Sequence, residues 1–347
     1  MNAPVPIEIR ALDDASLAAW DAFVESCPEA TFFHRAGWKR VIEESFGHRT
    51  HYLYALRDGR IRGVLPLVHV KSLLFGNALV STAFCVFGGP AASDDAAREA
   101  LDVRACALAD HLGVDHLEYR RDVVDAKGWV TKADLYVIFR KAIDPDPEAN
   151  LKAIPRKQRA MVRKGIKAGL ASDIDADVER LHPIYADSVH RLGTPVFPKR
   201  YFRALVETFG DACEVLTVVG DGRPLASVLS FYFRDQVLPY YGGGVADARR
   251  LAANDFMYWE VMRRAGERGC RLFDYGRSKR GTGAFSFKKN WGFEPEPLAY
   301  TFRLRRGDAV PEINPLNPKY RLFIAAWKRL PLPLATWLGP HIVRGLG

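Results

Sequence analysis

The sequence predicts an α/β protein with mixed α+β sheets, built as two tandem copies of one unit. Three observations carry this prediction. The chain has 347 residues, which leaves room for about two domains at roughly 100–200 residues each. It repeats itself, with matched points 154 to 163 residues apart. Within each repeat, hairpins come first and helices are interleaved later, a pattern that builds mixed sheets rather than a doubly wound parallel one. A composition of 48% apolar, 12% aromatic and 26% charged residues is that of an ordinary globular chain and excludes disordered or collagen-like classes.

The elements follow in order. Two helices open each copy. Next, YLYALRDGRIRGVLPLVHVK (52–71) reads like LTVVGDGRPLASVLSFYFRD (216–235): an apolar strand, an Asp-Gly-Arg turn, then a longer apolar strand. The turns are Asp58-Gly59-Arg60 and Asp221-Gly222-Arg223, where glycine supplies the positive φ of a two-residue hairpin. A third strand runs into Gly88-Gly89-Pro90 or Gly242-Gly243-Gly244, and an amphipathic helix follows at 95–111 or 254–267. Short strands at 116–120 and 272–277 come next, then terminal strands at 135–141 and 298–306. The expected organisation is a first unit over 1–145, a basic linker helix over 146–170, a second unit over 171–310 and an amphipathic helical tail over 311–347.

Residues 72–93 carry no charge over 22 positions, about the length of a membrane span. Gly76, Asn77, Gly88, Gly89 and Pro90 break that run, which reads instead as a buried strand and turn. In 320–345, apolar residues alternate with Lys328, Arg329 and Arg344, the pattern of a Pro-broken amphipathic helix. Such a helix either packs across a domain surface or lies on an anionic membrane face. The five cysteines form no CxxC pair, and no Cys/His cluster has ligand spacing, so neither a metal site nor a disulfide framework is expected. No basic region followed by an apolar core marks the start, and a cytoplasmic location is the expectation.

The net charge of +9 is unevenly placed. Lys152 to Lys167 holds seven basic residues and no acidic one, and Arg156, Arg159, Arg163 and Lys167 fall on one helical stripe. A stripe of that kind is an electrostatic footprint for phosphate, in tRNA or in a nucleotide-linked precursor.

The tandem element order resembles the acyltransferase fold of the GNAT superfamily, and with its basic linker it resembles the FemAB-like branch. The residues that carry this are Phe33-His34 with Trp38-Lys39-Arg40-Val41, RAMVRKGIKAG at 159–169, Asp274 to Ser278 (DYGRS), and Phe287-Lys288-Lys289-Asn290-Trp291-Gly292. The chain is also similar to FemAB-related proteins associated with bacterial exopolysaccharide and PEP-CTERM protein-sorting systems. The resemblance implies transfer of an amino acid from aminoacyl-tRNA to an amine on a peptidoglycan or exopolysaccharide precursor. It also implies that Lys288 stabilises the tetrahedral intermediate or binds the donor.

Around Lys288, Asp274 is the carboxylate placed to accept a proton or orient Arg277, and Arg277 can grip a phosphate or carboxylate. Lys289, Tyr241, Trp38 and Lys39 are the further expected substrate contacts. The turn after the glycine strand, 245–255, has Leu251 and Ala252 where a CoA-binding loop has glycines, which weakens the case for an acyl-CoA donor. No Ser–His–Asp or Cys–His arrangement is visible, so direct transfer without an acyl-enzyme is expected. The expected partners are thus tRNA, an anionic envelope precursor and, through the tail, the inner membrane face, with no DNA, no metal and no tightly bound cofactor. The alternatives are a CoA-dependent N-acyltransferase and a non-catalytic RNA- or precursor-binding protein on the same fold.

Overall fold

The computed structural model describes residues 6–72, 75–121, 129–305 and 318–347. The first residues of the expected tail, 311–317, lie outside the described residues. The chain forms two compact units: Met1–Asp134 with Leu298–Pro311 and Arg344–Gly347, and Leu135–Pro297 with Glu312–Val343.

The first unit runs β1 (Glu8–Ala11), α1 (Leu17–Ser26), α2 (Gly37–Phe46), β2 (Arg49–Arg57), β3 (Arg60–Ser72), β4 (Gly76–Ser81), β5 (Ala91–Ala92), α3 (Asp95–Leu112) and β6 (His116–Arg120). Asp58 and Gly59 both take positive φ (50° and 70°), so the β2–β3 turn is the hairpin its sequence predicts. Asp94 starts α3 by accepting a hydrogen bond from the Ala97 amide at 2.9 Å. Leucines of β2, β3, β4, α3 and β6, among them Leu53, Leu67, Leu79, Leu101 and Leu117, form the core. The uncharged stretch 72–93 supplies β4 and a turn whose residues 82–90 are all buried, as its glycines and proline predict.

The second unit runs β7 (Val130–Ala142), α4 (Pro147–Ala153), α5 (Arg156–Lys167), β8 (Ala171–Asp175), α6 (Leu181–Leu192), α7 (Lys199–Phe209), β9 (Cys213–Gly220), β10 (Arg223–Phe233) and β11 (Gln236–Gly244). It continues with α8 (Ala248–Leu251), α9 (Ala253–Glu267), β12 (Leu272–Lys279) and α10 (Gly283–Asn290). Its strand order is β7-β12-β11-β10-β9-β8. Asp221 and Gly222 repeat the φ values of the first hairpin at 50° and 71°.

β13 (Pro295–Leu304) completes the first unit, where Tyr300 to Leu304 run antiparallel to Arg120 to His116 of β6. Conversely, Tyr136 to Ala142 of β7 pair with β12 in the second unit. The two terminal strands are therefore exchanged relative to a division in chain order. Alternation in LYVIFRK or LAYTFRLRR predicts a strand but not its neighbour; in the structure Arg140 of β7 pairs with Asp274 of β12 at 3.1 Å, and Arg303 of β13 reaches Asp110 of α3 at 2.9 Å. The basic segment also differs from a free linker, because α5 packs on α9 as part of the second unit. The tail forms α11 (Pro318–Trp327) and α12 (Leu332–Val343), both in the second unit.

Candidate active site

In the second unit β11 and β12 run parallel for only two residue pairs, Gln236 with Leu272 and Val237 with Phe273. Among the described residues no further pairing joins the two strands, so they part as a wedge toward their C-terminal ends. Tyr240 is the extra residue of a β-bulge on one wall, since Leu229 faces Tyr241 while Ser230 faces Pro239. The other wall has a bulge of its own: Asp274 faces Arg140 and Arg277 faces Ile138, so Tyr275 and Gly276 together oppose Phe139. Gly276 sits at φ 72°, where a side chain would be strained.

Lys288 closes this second bulge. It projects from α10, which Thr282 caps by accepting from the Phe285 amide at 3.3 Å. The Lys288 Nζ donates to the carbonyls of Gly276 and Arg277, both at 3.0 Å. It also lies 5.5 Å from the Tyr275 ring centre and 5.7 Å from that of Phe139. Although the residue as a whole is only partly buried, desolvation of its amino end pushes its pKa down to about 7; Asp274 opposes the shift and Arg277 adds to it.

Asp274 is buried, accepts from the Gly276 amide at 2.8 Å and pairs with Arg140 Nε at 3.1 Å. Burial pushes its carboxyl up, against the pull of the Arg140 guanidinium. Two donated bonds occupy two Nζ hydrogens. A protonated Lys288 therefore keeps one N–H to give to a developing oxyanion, and a neutral one keeps a lone pair. Nearby on β12, the Tyr275 hydroxyl and Ser278 Oγ are buried with no partner among the described residues. Unsatisfied groups of this kind call for a ligand or water. Both lie in the DYGRS segment, yet neither carried an expected role of its own, because each reads as an ordinary strand residue.

The other sequence-predicted residues divide sharply. Arg277 stacks its guanidinium 4.8 Å from the Tyr136 ring centre on the same strand pair. Lys289 is exposed on α10. Tyr241 is buried, with its hydroxyl 2.8 Å from that of Tyr201, which makes it part of an aromatic core rather than a wedge surface.

Trp38 is fully buried among Phe32 and Phe33 and donates its indole N–H to the Phe32 carbonyl at 3.2 Å, so it is core and not a substrate contact. Lys39 is held by Glu43 one turn on, at 2.6 Å. His34 of the same motif bonds the Gly89 carbonyl at 3.0 Å, and burial pushes its pKa down to about 4. This first motif therefore builds the first unit rather than a surface for substrate.

The first unit differs from the second at the matching place. After β4 the chain turns through Thr82 and Phe84, both at positive φ, and stays buried to Pro90. Arg120 donates from Nη1 to the Cys85 carbonyl at 2.9 Å, and its own carbonyl accepts from the Gly88 amide. The C-terminal end of β6 is thereby bonded by the protein's own backbone, whereas the Gly276 and Arg277 carbonyls of β12 are met by the Lys288 side chain.

The α5 helix presents its two faces differently. Gln158, Val162 and Gly165 are buried, and Gln158 donates to Asp255 Oδ1 at 3.1 Å. The same oxygen accepts from the Trp291 indole at 3.0 Å, which ties α5, α9 and the segment after Lys288 together. The outward face carries Arg156, Arg159, Arg163, Lys164 and Lys167 around a shallow depression of about 570 Å³. None of these five has an ion-pair partner among the described residues.

At the start of α9, Ala252 takes φ 57° in the turn where a phosphate-binding loop would have glycine, and the helix begins from it. Asn254 lies inside the first turn of α9.

Comparison with known proteins agrees with this geometry. A family model described as an acetyltransferase (GNAT) domain matches residues 154–289. No curated protein sequence matches the chain. Among solved structures, FemX is similar at 18% identity with a TM-score of 0.70, covering 91% of this chain and 100% of that one. The C-terminal domain of a putative lysylphosphatidylglycerol synthetase from Agrobacterium fabrum is similar at 13% identity with a TM-score of 0.56, covering 84% and 92%. A tandem GNAT protein from the clavulanic acid biosynthesis pathway is similar at 14% identity with a TM-score of 0.53, covering 88% and 100%. Residues 154–289, which lie in the second unit, thus match a GNAT acetyltransferase domain, and the chain as a whole shares the fold of FemX and of a tandem GNAT protein.

Proposed function

We propose that the protein transfers an aminoacyl or acyl group to an amine on an anionic cell-envelope precursor, of peptidoglycan or exopolysaccharide, without a covalent enzyme intermediate. The observation that carries this is Lys288, whose desolvated Nζ is held at the wedge by the Gly276 and Arg277 carbonyls. The acceptor nitrogen attacks the donor carbonyl, and its oxygen takes on negative charge. In this reading the remaining Lys288 N–H donates to that oxygen. As the tetrahedral intermediate collapses, the bond to the leaving oxygen or sulfur breaks, and the proton lost by the amine passes to the leaving group. An ester or thioester is already activated, so positioning and charge suffice. Asp274 and Arg140 fix the bulge, while Arg277 and Lys289 supply charge for an anionic substrate.

For the donor, the unpaired cations on α5 favour aminoacyl-tRNA. A second reading, acyl-CoA as donor, is favoured by the GNAT match and by the left-handed turn at Ala252. Either donor is a substrate and not a resident cofactor. The name of one similar structure, a putative lysylphosphatidylglycerol synthetase, joins an aminoacyl group to a membrane lipid, which supports an aminoacyl donor and an envelope acceptor here.

The test is transfer from mixed aminoacyl-tRNA, or from acetyl-CoA, to a nucleotide-linked peptidoglycan precursor. Transfer abolished by RNase supports the tRNA reading, and RNase-insensitive transfer from acetyl-CoA overturns it. Lys288→Ala is expected to lower turnover about 10²- to 10³-fold, the effect of removing one oxyanion donor, with substrate binding retained. Binding by the native protein with no transfer from either donor would leave the non-catalytic reading in its place.

A further inference from the structure

The two C-terminal helices are fixed on one side and open on the other. On the fixed side, a Cβ placed on Gly193 of the second unit would meet Ile324 at 2.5 Å, and His190 bonds the Trp327 carbonyl at 3.0 Å, so α11 is seated against the end of α6. Gly339 brings α12 against the backbone of Val196, and Ala335 and Val343 are buried. On the open side, Leu322 is 82% exposed and Trp337 66%, with Phe323 and Leu334 also exposed. Four of the ten exposed large apolar side chains recorded among the described residues thus fall on two short helices, and Leu192, beside Gly193, is a fifth. Isolated exposed leucines need no explanation, but a concentration that includes a tryptophan does.

The charge carried by these helices and the turn between them has one sign. Residues 318–343 contain Lys319, Arg321, Lys328 and Arg329 and no acidic residue. Lys328 and Arg329 are exposed, with no ion-pair partner among the described residues. No helix among the described residues is long and apolar enough to cross a membrane. Apolar and aromatic side chains flanked by unpaired cations, on helices too short to span, are the features of an element that lies in the plane of a lipid surface.

We propose that the exposed side of α11 and α12 docks the protein on an anionic lipid bilayer. Leu322, Phe323, Leu334 and Trp337 enter the headgroup region, and Lys328 and Arg329 meet lipid phosphates. A second copy of the chain fits this surface poorly, because an isologous pairing would bring like charge against like charge with no acid on either helix to offset it.

The experiment uses the full-length protein with vesicles of phosphatidylcholine alone and of phosphatidylcholine mixed with phosphatidylglycerol. Sedimentation with the anionic vesicles only is expected, with a blue shift of tryptophan emission that Trp337→Phe removes. The paired change Leu322→Ser with Trp337→Ser lies on exposed positions outside the wedge. It should weaken vesicle binding about tenfold or more and leave transfer between soluble substrates unchanged. Lys328→Glu with Arg329→Glu should abolish the preference for anionic lipid. Failure to bind either vesicle overturns the proposal. So does a dimer in sedimentation velocity that the Leu322/Trp337 changes dissolve in the absence of lipid, since the face would then be a self-interface.

Discussion

Lys288 donates from Nζ to the carbonyl of Gly276 at 3.0 Å, reaching back twelve residues from α10 to the bulge that its own strand connection creates. The bulge turns the Gly276 and Arg277 carbonyls toward one point, and the lysine occupies it. The residue that shapes the bulge is therefore also the one to which the proposed transfer assigns the oxyanion contact.

That dual role has a pH signature. The amine of Lys288 titrates near 7 in the folded protein and at an ordinary 10.5 once unfolded. Between those values the unfolded state binds the extra proton, so stability rises with pH across that window, while below 7 the full cost of a desolvated ammonium is present. Lys288→Met removes the titration. The gap in unfolding free energy between native protein and variant should therefore move in favour of the native protein as pH rises from 7 toward 10. Urea melts at several pH values measure this, and parallel curves would show that the amine is solvated.

Gly276 and Gly222 offer a paired substitution. Both have φ just above 70°, but Gly222 has open space at its Cβ position, while a Cβ on Gly276 would lie 4.0 Å from Lys288 Nζ inside the bulge. Gly222→Ala should cost about 1–2 kcal/mol of stability from left-handed strain alone and leave turnover intact. Gly276→Ala should cost a similar amount and also lower kcat. Equal activity in the two variants would mean that the bulge is only architecture.

Asp255 accepts from both Gln158 and Trp291, and burial pushes its carboxyl up. Trp291→Phe keeps the ring and deletes the donor, leaving a buried carboxylate one bond short. The expected loss is about 1–3 kcal/mol. Because the folded-state pKa is raised, the penalty should grow as pH rises through the carboxylate range and shrink in acid. Thermal melts at acidic and neutral pH compare the two.

The outward face of α5 makes a prediction about salt. If it holds tRNA, log affinity against log salt has a slope of roughly −0.7 to −0.9 per phosphate neutralised. Replacing Arg156, Arg159 and Arg163 together with alanine should flatten that slope by two to three such increments. An unchanged slope would make the stripe ordinary solvated surface.

Much of this was visible in the residues. The paired Asp-Gly turns predicted both hairpins, and Asp58, Gly59, Asp221 and Gly222 take the positive φ those turns need. Arg156, Arg159, Arg163 and Lys167 were readable as one stripe because helical periodicity is local.

What escaped the sequence was decided by distant partners. Nothing in LYVIFRK states that it will lie beside Asp274, and nothing in Trp38-Lys39 separates an exposed indole from one closed over by Phe32 and Phe33. Lys288 and Lys289 are chemically identical neighbours. Only the phase of α10 against the Gly276 bulge encloses one and leaves the other in solvent.

The exchange of terminal strands bears on how the chain emerges from a ribosome. When residue 145 has been made, β6 still has a bare edge, and its neighbour is not synthesised until residues 300–304 appear. Throughout that interval the nascent first unit exposes an unpaired strand, the kind of edge that recruits the wrong partner. Cutting the gene between the repeats would not yield two small proteins. It would yield two fragments, each missing a strand carried by the other.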